Sequence, residues 1–218
     1  QRAYVLLRVQ GSRQWQVFGE RSVRLEKGSN FRDLGGLTGA GGKHVRWGAI
    51  YRSGAMPLLT DNDYALLSGL HIGSIVDLRS LEEREVAPDQ LDDRTGALFL
   101  ANDYSFKSLM AGMGGRKEYL YQGTELRLAP QYRMIFRRLL ARDGAVLFHC
   151  SAGQDRTGVA AALVLSALGV DRKTIVEDYH RSTALRRPEF EMPEIDPAAF
   201  PGNPIVAYYA AGQARGSR

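Results

Sequence analysis

Short apolar runs and amphipathic stretches alternate along the chain. Residues 72–78 are a short, largely apolar stretch, and residues 145–148 are a continuous apolar run that His149 follows; both are typical of buried strands. Residues 130–142 instead place apolar side chains every three or four positions and arginines on the opposite face, which predicts an amphipathic helix. The segment after position 156 is apolar on every side, which predicts a central buried helix. This alternation predicts an α/β fold, with a largely parallel central sheet flanked by helices.

Capping residues and glycines set the bounds of other predicted helices. Thr60, with Asp63 three residues later, begins a helix that Gly69 ends. Asp171 is the predicted cap of a helix that continues to about Ser182. The remaining predicted elements are strands at 44–51 and 97–100, one or two helical turns at 81–86, and a glycine-rich loop over 28–42.

The first residues predict a separate β element. Residues 3–9 and 14–18 flank a Gly-Ser pair and predict a β-hairpin, which an alternating strand at 22–25 follows. We therefore expect an N-terminal β appendage over 1–27 and a main domain over 28–218.

The sequence supports one prediction for each end of the chain. Five of the eight prolines lie between positions 188 and 204, so we expect an irregular C-terminal part from about residue 188. The chain starts at Gln1 rather than Met, which suggests an upstream segment and permits a periplasmic or secreted origin.

The strand at 145–149 leads into His-Cys-Ser-Ala-Gly-Gln-Asp-Arg-Thr-Gly at 149–158. Cys150 is the only cysteine of the chain, and it begins a glycine-bearing loop that a helix follows. Backbone N–H groups and the helix dipole converge at a helix N-terminus, so an anion binds there and a thiolate is stabilised. Arg156 adds a planar fork that suits phosphate oxygens. This pattern predicts a phosphate-binding loop with a sulfur nucleophile.

Composition excludes several other classes of site. The formal net charge is +5, from 24 arginines, 5 lysines and 24 acidic residues, but no zinc-finger, homeodomain or RNP pattern accompanies it, so we expect no nucleic-acid partner. No apolar run reaches the roughly 18 residues of a membrane span. One cysteine and four scattered histidines offer no ligand spacing, so we expect no metal and no other cofactor.

At 149–158 the chain resembles the cysteine-dependent phosphatases, whose loop is His-Cys-x5-Arg-Ser/Thr. Three further segments are similar to the bacterial tyrosine and dual-specificity phosphatases of the mycobacterial PtpB type: Asn-Phe-Arg-Asp-Leu-Gly-Gly at 30–36, Tyr-Arg-Ser-Gly at 51–54 and Val-Asp-Leu-Arg-Ser at 76–80. The resemblance implies a cysteine-phosphatase fold for the catalytic domain and hydrolysis of phosphotyrosine through a cysteinyl-phosphate.

The resemblance also implies roles for the loop and for the residues beside it. Cys150 attacks phosphorus, while Arg156 and the loop amides hold the phosphate oxygens. We expect the Thr157 hydroxyl to stabilise the thiolate, and His149 either to orient it or to be a plain core histidine. The predicted phosphate-binding residues are Ser151, Ala152, Gly153, Gln154, Asp155 and Arg156.

The general acid has two candidates. No aspartate lies between Asp103 and Asp143, where many relatives carry the acid. Asp155, within the loop, is the first choice, although it could instead pair with an arginine. Asp77 is the second choice, with an ion pair to Arg79 as its alternative role.

Two further predictions concern the surroundings of the loop. Asp33, Arg32 and Arg52 are expected to brace it or to contact phosphate. Segment 104–125 is a candidate lid because its glycines permit motion, and the side chains that could cover an aromatic substrate are Met110, Met113, Tyr119 and Tyr121.

The expected partner is a phosphotyrosine protein or another phosphomonoester, with phosphate or sulfate as a simple anion. In family loops a lysine usually stands where Gln154 is, which disfavours phosphoinositides slightly. A phosphoinositide or inositol-phosphate phosphatase therefore stays an alternative, as do a rhodanese-like sulfurtransferase and a non-catalytic phosphoprotein-binding module.

Overall fold

A computed structural model describes residues 3–11, 13, 15–111 and 124–209. The described residues form seven strands: β1 (Tyr4–Leu7), β2 (Gln16–Gly19), β3 (Arg32–Asp33), β4 (Ile50–Ser53), β5 (Ile72–Asp77), β6 (Leu98–Ala101) and β7 (Ala145–His149). The last five form one sheet in the order β3-β4-β7-β5-β6. Only β3 in this sheet is antiparallel to its neighbour, so the predicted α/β class with a largely parallel sheet is confirmed.

Eight α-helices lie in the described residues before position 188, and several of them cover the two faces of the sheet. They are α1 (Asp61–Ser68), α2 (Leu81–Val86), α3 (Leu91–Thr95), α4 (Phe106–Ala111), α5 (Thr124–Arg127), α6 (Ala129–Ala141), α7 (Asp155–Ala167) and α8 (Arg172–Leu185). Helices α6 and α7 pack on one face, and α1 and α3 contribute to the core on the other. None of the helices in the described ranges has the length and apolar character that a bilayer span requires.

Strand β7 is the centre of the sheet and is buried along its whole length. Val146 and Phe148 belong to the core under α6 and α7, whereas Leu147 belongs to the core on the opposite face. A parallel strand buried on both faces is apolar along most of its length, which explains the apolar run at 145–148.

The carboxyl ends of three neighbouring strands lie side by side. In the register of the sheet, His149 of β7 is opposite Ser53 of β4 on one side and Asp77 of β5 on the other. The segments that follow these three residues therefore meet at one edge, where ligands bind in sheets of this kind.

Two helix predictions that depended on capping are confirmed. The Thr60 hydroxyl accepts a hydrogen bond from the Asp63 N–H, and the Asp63 carboxylate accepts one from the Thr60 N–H, which forms a capping box. The Asp171 side chain caps α8 through the Thr174 N–H, and the helix ends at Leu185.

Four other predictions were wrong in part. Helix α7 is not buried on every side, because Leu163 is 38% exposed on its outer face. The strand predicted at 44–51 begins only at Ile50, and Ser22 makes a single bridge to Arg32 rather than a strand. The glycine-rich segment 28–42 contains β3, whose two residues form a strand only because β4 pairs with them.

The N-terminal hairpin is formed as predicted, from β1 and β2. Its side chains are largely exposed, and it contacts the main domain through Trp47, whose indole N–H donates to the Val17 carbonyl at 3.0 Å. At the other end, residues 188–190 and 197–199 are short 3₁₀ turns and residues 204–209 are helical. The division into two domains at residue 27 stays a prediction.

Candidate active site

The loop between β7 and α7 begins at Cys150, which is buried, with 2% of its surface exposed. Gly153 has a φ of +65°, and a Cβ at this position would lie 2.3 Å from the Ser53 carbonyl oxygen. Glycine is therefore required both for the left-handed conformation and for the close approach to the end of β4.

The carbonyl groups of the loop are tied to the scaffold. The Asn30 side chain donates to the carbonyls of Ala152 and Gly153 at 3.1 and 2.9 Å, and Arg52 Nη2 donates to the Gly153 carbonyl at 2.8 Å. The Ala55 N–H donates to the Ser151 carbonyl at 2.8 Å.

The amide groups of the same loop are arranged differently. Among the described residues, the backbone N–H groups of 151–154 have no hydrogen-bond acceptor. Consecutive N–H groups that lack acceptors at a helix N-terminus form a cradle for an anion.

Two arginines that the sequence analysis named share one buried carboxylate. Arg32 Nε lies 3.0 Å from Asp178 Oδ1, and Arg52 Nη1 lies 2.7 Å from Asp178 Oδ2. Burial lowers the pKa of Arg52 to about 10, which still leaves it charged at neutral pH. Arg52 braces the loop directly, and Arg32 does so through Asn30, whose side-chain oxygen accepts from Arg32 Nη1. Asp178 was missed because nothing near position 178 marks it as a partner of β3 and β4.

Asp33 contacts the connection between β3 and β4. Its two carboxylate oxygens accept hydrogen bonds from the N–H groups of Gly35 and Gly48, at 2.7 and 2.8 Å. These two hydrogen bonds stabilise the connection between β3 and β4, and the bracing of the loop by Asp33 stays a prediction.

Arg156 is held by a residue that the sequence analysis did not name, Glu83 of α2. Arg156 Nη1 and Nη2 each lie 2.6 Å from a different oxygen of the Glu83 carboxylate, which makes a bidentate pair. The same carboxylate accepts from the Ser151 hydroxyl and from the Ser80 N–H. Burial alone would raise the pKa of Glu83, but Arg156 and these hydrogen bonds lower it to about 2.

The contacts of Arg156 leave one edge of its guanidinium available. Nη1 also donates to the Tyr104 hydroxyl at 2.8 Å, and that hydroxyl donates to the Leu78 carbonyl at 2.7 Å. Burial raises the pKa of Tyr104 to about 12, so it stays a neutral phenol. Arg156 Nε has no hydrogen-bond partner within the described part of the chain. The Nε edge is therefore free to bind oxyanion oxygens.

The expected hydrogen bond from Thr157 to the nucleophile is not formed. Thr157 Oγ1 is buried and has no hydrogen-bond partner in the described ranges. Thr157 is wholly buried, and within the described ranges its hydroxyl makes no hydrogen bond to the Cys150 sulfur.

Asp155 is the first residue of α7 and is partly exposed. Its Oδ1 accepts a hydrogen bond from the Tyr179 hydroxyl of α8 at 3.0 Å. A Cβ on Gly158 would lie 2.6 Å from the Tyr179 ring, so the glycine permits this approach of α8.

Asp77 is wholly buried and lies in an ion pair, the alternative that the sequence analysis left open. Arg79 Nη2 lies 2.7 Å from Asp77 Oδ2 and 3.2 Å from Asp89 Oδ2. Burial alone would raise the pKa of Asp77, but Arg79 holds it well below its ordinary value. A wholly buried carboxylate paired with an arginine has no access to a leaving group, so the geometry does not support Asp77 as the acid.

His149 completes this buried cluster. Its Nε2 lies 3.5 Å from Asp89 Oδ2 and 3.8 Å from Asp77 Oδ2, and its Nδ1 lies 3.4 Å from the Cys150 carbonyl oxygen. The candidate ligand atoms of the two aspartates and His149 lie within 4.8 Å of one another, as a metal site would require. Arg79 already places a positive charge between the two carboxylates, which favours an ion-pair cluster over a metal site.

Most of the predicted lid, residues 112–123 with Met113, Tyr119 and Tyr121, lies outside the described residues. Helix α4, which contains Met110, precedes this stretch, and α5 follows it.

Sequence comparison relates the chain to three bacterial proteins. A Cupriavidus necator protein whose name places it among the tyrosine-protein phosphatases is 35% identical over 176 residues, which cover 76% of this chain and 64% of that protein. The triple specificity protein phosphatase PtpB of Mycobacterium tuberculosis is 33% identical over 188 residues, which cover 70% of this chain and 66% of that protein. The tyrosine-protein phosphatase of Nostoc commune is 35% identical over 138 residues, which cover 60% of this chain and 47% of that protein. The chain thus spans about half to two thirds of the length of these relatives.

Among solved structures, P. aeruginosa TpbA in complex with pTyr is similar with 20% identity and a TM-score of 0.38, over 63% of this chain and 70% of that one. A sequence profile of the tyrosine phosphatase family matches residues 23–199, which include β3 to β7 and the whole loop. The chain therefore belongs to the tyrosine phosphatase family.

Proposed function

We propose that this chain hydrolyses phosphotyrosine in proteins, with Cys150 as the nucleophile. The observation that carries the proposal is the loop itself. The N–H groups of 151–154 have no acceptor among the described residues, and Arg156 is fixed beside them by Glu83 with its Nε edge available. This arrangement suits three equatorial oxygens of a phosphoryl group in transfer.

In the first step the Cys150 thiolate attacks phosphorus in line, and the bond from phosphorus to the tyrosine oxygen breaks. The new sulfur–phosphorus bond gives a cysteinyl-phosphate. Arg156 and the loop amides stabilise the charge that develops on the oxygens, and they require no rearrangement because the scaffold already holds them.

We assign the general acid to Asp155. It is partly exposed at the start of α7, whereas Asp77 is buried in the ion pair with Arg79. Protonated Asp155 donates to the departing phenolate oxygen, and the carboxylate then takes a proton from water. The oxygen of that water attacks phosphorus and displaces the Cys150 thiolate, which releases inorganic phosphate.

The test is phosphate release from a phosphotyrosine peptide and from p-nitrophenyl phosphate. We expect turnover with the parent chain, and acid quenching should leave phosphorus bound to the protein. Cys150→Ser should lose both turnover and the trapped intermediate.

Two results would contradict the proposal. Thiocyanate formation from thiosulfate and cyanide without phosphate release would indicate a sulfurtransferase. Binding of phosphopeptides by the parent chain without any turnover would indicate a binding module.

A further inference from the structure

Arg186, directly after α8, contacts the phosphate-binding loop from the outside. Its Nη1 donates to the Gln154 side-chain oxygen at 3.2 Å. Gln154 lies between Gly153 and Asp155, at the position that precedes α7. A cation that the sequence places 32 residues away is therefore brought to the rim of the site.

Glu191 fixes the position of this cation. Arg186 Nε and Nη2 donate to the two oxygens of the Glu191 carboxylate, at 3.0 and 2.7 Å. Glu191 is buried and also accepts from the Ser29 hydroxyl at 2.7 Å. Ser29 in turn accepts, through its carbonyl, from the Gly54 N–H, so Arg186 is attached to the same scaffold that braces the loop.

Arg186 is nevertheless accessible. Its side chain is 32% exposed, against 5% for that of Glu191. The hydrogen bonds with Glu191 raise the pKa of Arg186, with smaller contributions from Asp155 and Cys150, so the side chain is a cation at every working pH. An arginine that is fixed, charged and partly open to solvent is suited to a second anionic group on a substrate.

We propose that Arg186, together with Gln154, forms a rim subsite for an acidic side chain next to the phosphotyrosine. The proposal rests on the function proposed above, and it adds a preference among phosphopeptides. The loop segment 149–158 contains no lysine. Arg186, from another part of the chain, places a positive charge beside Gln154 instead. Arg186 is thus a specificity residue, and it takes no part in bond breaking.

The experiment compares two phosphotyrosine peptides that differ only at the residues flanking the phosphotyrosine. One peptide has Asp and Glu there, and the other has Asn and Gln. The measured quantity is the ratio of the two kcat/KM values, acidic over neutral. We expect a ratio above one for the parent chain, and Arg186→Gln should lower it about fivefold, which is what one charge pair in near contact contributes at a wet surface.

Glu191→Gln tests the same subsite in the other direction. It removes the carboxylate that neutralises Arg186, so the acidic-over-neutral ratio should rise. The double variant contains neither charge of the pair, so its ratio should lie above that of Arg186→Gln, which leaves the Glu191 charge unpaired, and below that of Glu191→Gln. Arg133→Gln, on the exposed face of α6, is the matched control and should leave the ratio unchanged.

The outcomes separate this proposal from the proposed function. If the parent chain hydrolyses neither peptide, the proposed function fails whatever Arg186 does. If it hydrolyses both and Arg186→Gln leaves the ratio unchanged, the subsite is overturned while the function stands. If Arg186→Gln slows only the hydrolysis of a soluble inositol bisphosphate, the anionic group belongs to an inositol headgroup and the peptide preference is wrong.

Discussion

The Glu83 carboxylate links three parts of the candidate site. It caps α2 through the Ser80 N–H, receives both terminal nitrogens of Arg156, and accepts from the Ser151 hydroxyl. An arginine has several rotatable bonds, and fixing its end before substrate arrives removes an entropic cost from binding. Glu83 thus acts on the reaction through Arg156, as a positioning residue.

Glu83→Gln should therefore impair the reaction without removing any group that contacts substrate. Charge-assisted hydrogen bonds to arginine contribute roughly 1.5–3 kcal/mol, so we expect kcat/KM on p-nitrophenyl phosphate to fall by about 10- to 100-fold. Glu85→Gln, exposed on the same helix, is the control. Equal activity of the two variants would show that Arg156 does not depend on this carboxylate.

Asp155→Asn tests the general acid. Without a proton donor, departure of the phenolate from phosphotyrosine should slow by about 10²- to 10⁴-fold, while the first step with p-nitrophenolate, a good leaving group, should be much less affected. Burst kinetics on the two substrates measure this difference. Equal losses on both would assign Asp155 to loop structure, through its hydrogen bond with Tyr179.

Helix α8 connects the elements that surround the loop. Asp178 binds the arginines of β3 and β4, Tyr179 donates to Asp155 at the start of α7, and the Ser182 hydroxyl accepts from Arg32 at 3.2 Å. Residue 186, which follows the helix, then reaches Gln154. Positions 178, 182 and 186 are four residues apart, so one side of the helix carries most of these contacts.

Asp178→Asn should destabilise the fold. It leaves Arg32 and Arg52 buried without their shared anion, and breaking a buried ion pair costs about 3–5 kcal/mol. Urea unfolding measures this change in the free energy of unfolding. Glu177→Gln, at the exposed neighbouring position, should change it by less than about 0.5 kcal/mol. A loss of similar size in both variants would show that the buried ion pairs of Asp178 contribute no more to the free energy of unfolding than an exposed charge does.

Elements whose signals are local could be predicted, and contacts between distant segments could not. The apolar run of β7, the cap of α1 and the helix after Arg156 each follow from adjacent residues. The pairs that position the site join residues far apart in sequence: Glu83 with Arg156, and Asp178 with Arg52. The chain has 24 acidic residues, and nothing in the sequence identifies the arginine with which each of them forms an ion pair.

The sequence motifs predicted where their residues lie better than they predicted which contacts those residues make. Asp33 and Thr157 lie close to the predicted loop in sequence or in space, yet Asp33 holds Gly35 and Gly48, and the Thr157 hydroxyl makes no hydrogen bond to a described residue. Strand register places a residue at the edge of a sheet, but the direction of its side chain depends on packing that a single sequence does not specify.

For the molecule as a whole, buried carboxylates link stability to pH. Asp77, Glu83 and Asp178 all have pKa values held below their ordinary values by neighbouring arginines, against the opposing effect of burial. Such groups contribute stability above the pKa they have in the unfolded chain, and this contribution is lost as the pH falls through the folded pKa. Burial raises the pKa of Asp89, so that residue acts in the opposite sense and offsets part of the loss.

We therefore expect the free energy of unfolding to decrease as the pH falls. For Glu83 the window extends from its ordinary value of 4.5 down to about 2. Each such group should contribute up to about 1.4 kcal/mol per pH unit within its window. Urea titrations at a series of pH values measure the slope, and Asp178→Asn should reduce it. A slope that is flat below the ordinary pKa values would show that these pairs are equally formed in the unfolded chain.

The order of synthesis gives the braces of the loop a further meaning. Cys150 leaves the ribosome before Asp178 and before Glu191, which fixes Arg186. A nascent chain that has just exposed its thiol lacks both carboxylates, so it has no rigid cradle in which to transfer a phosphoryl group. Activity should therefore arise only after residues 178–191 have docked, and a chain that stops before them should be inactive.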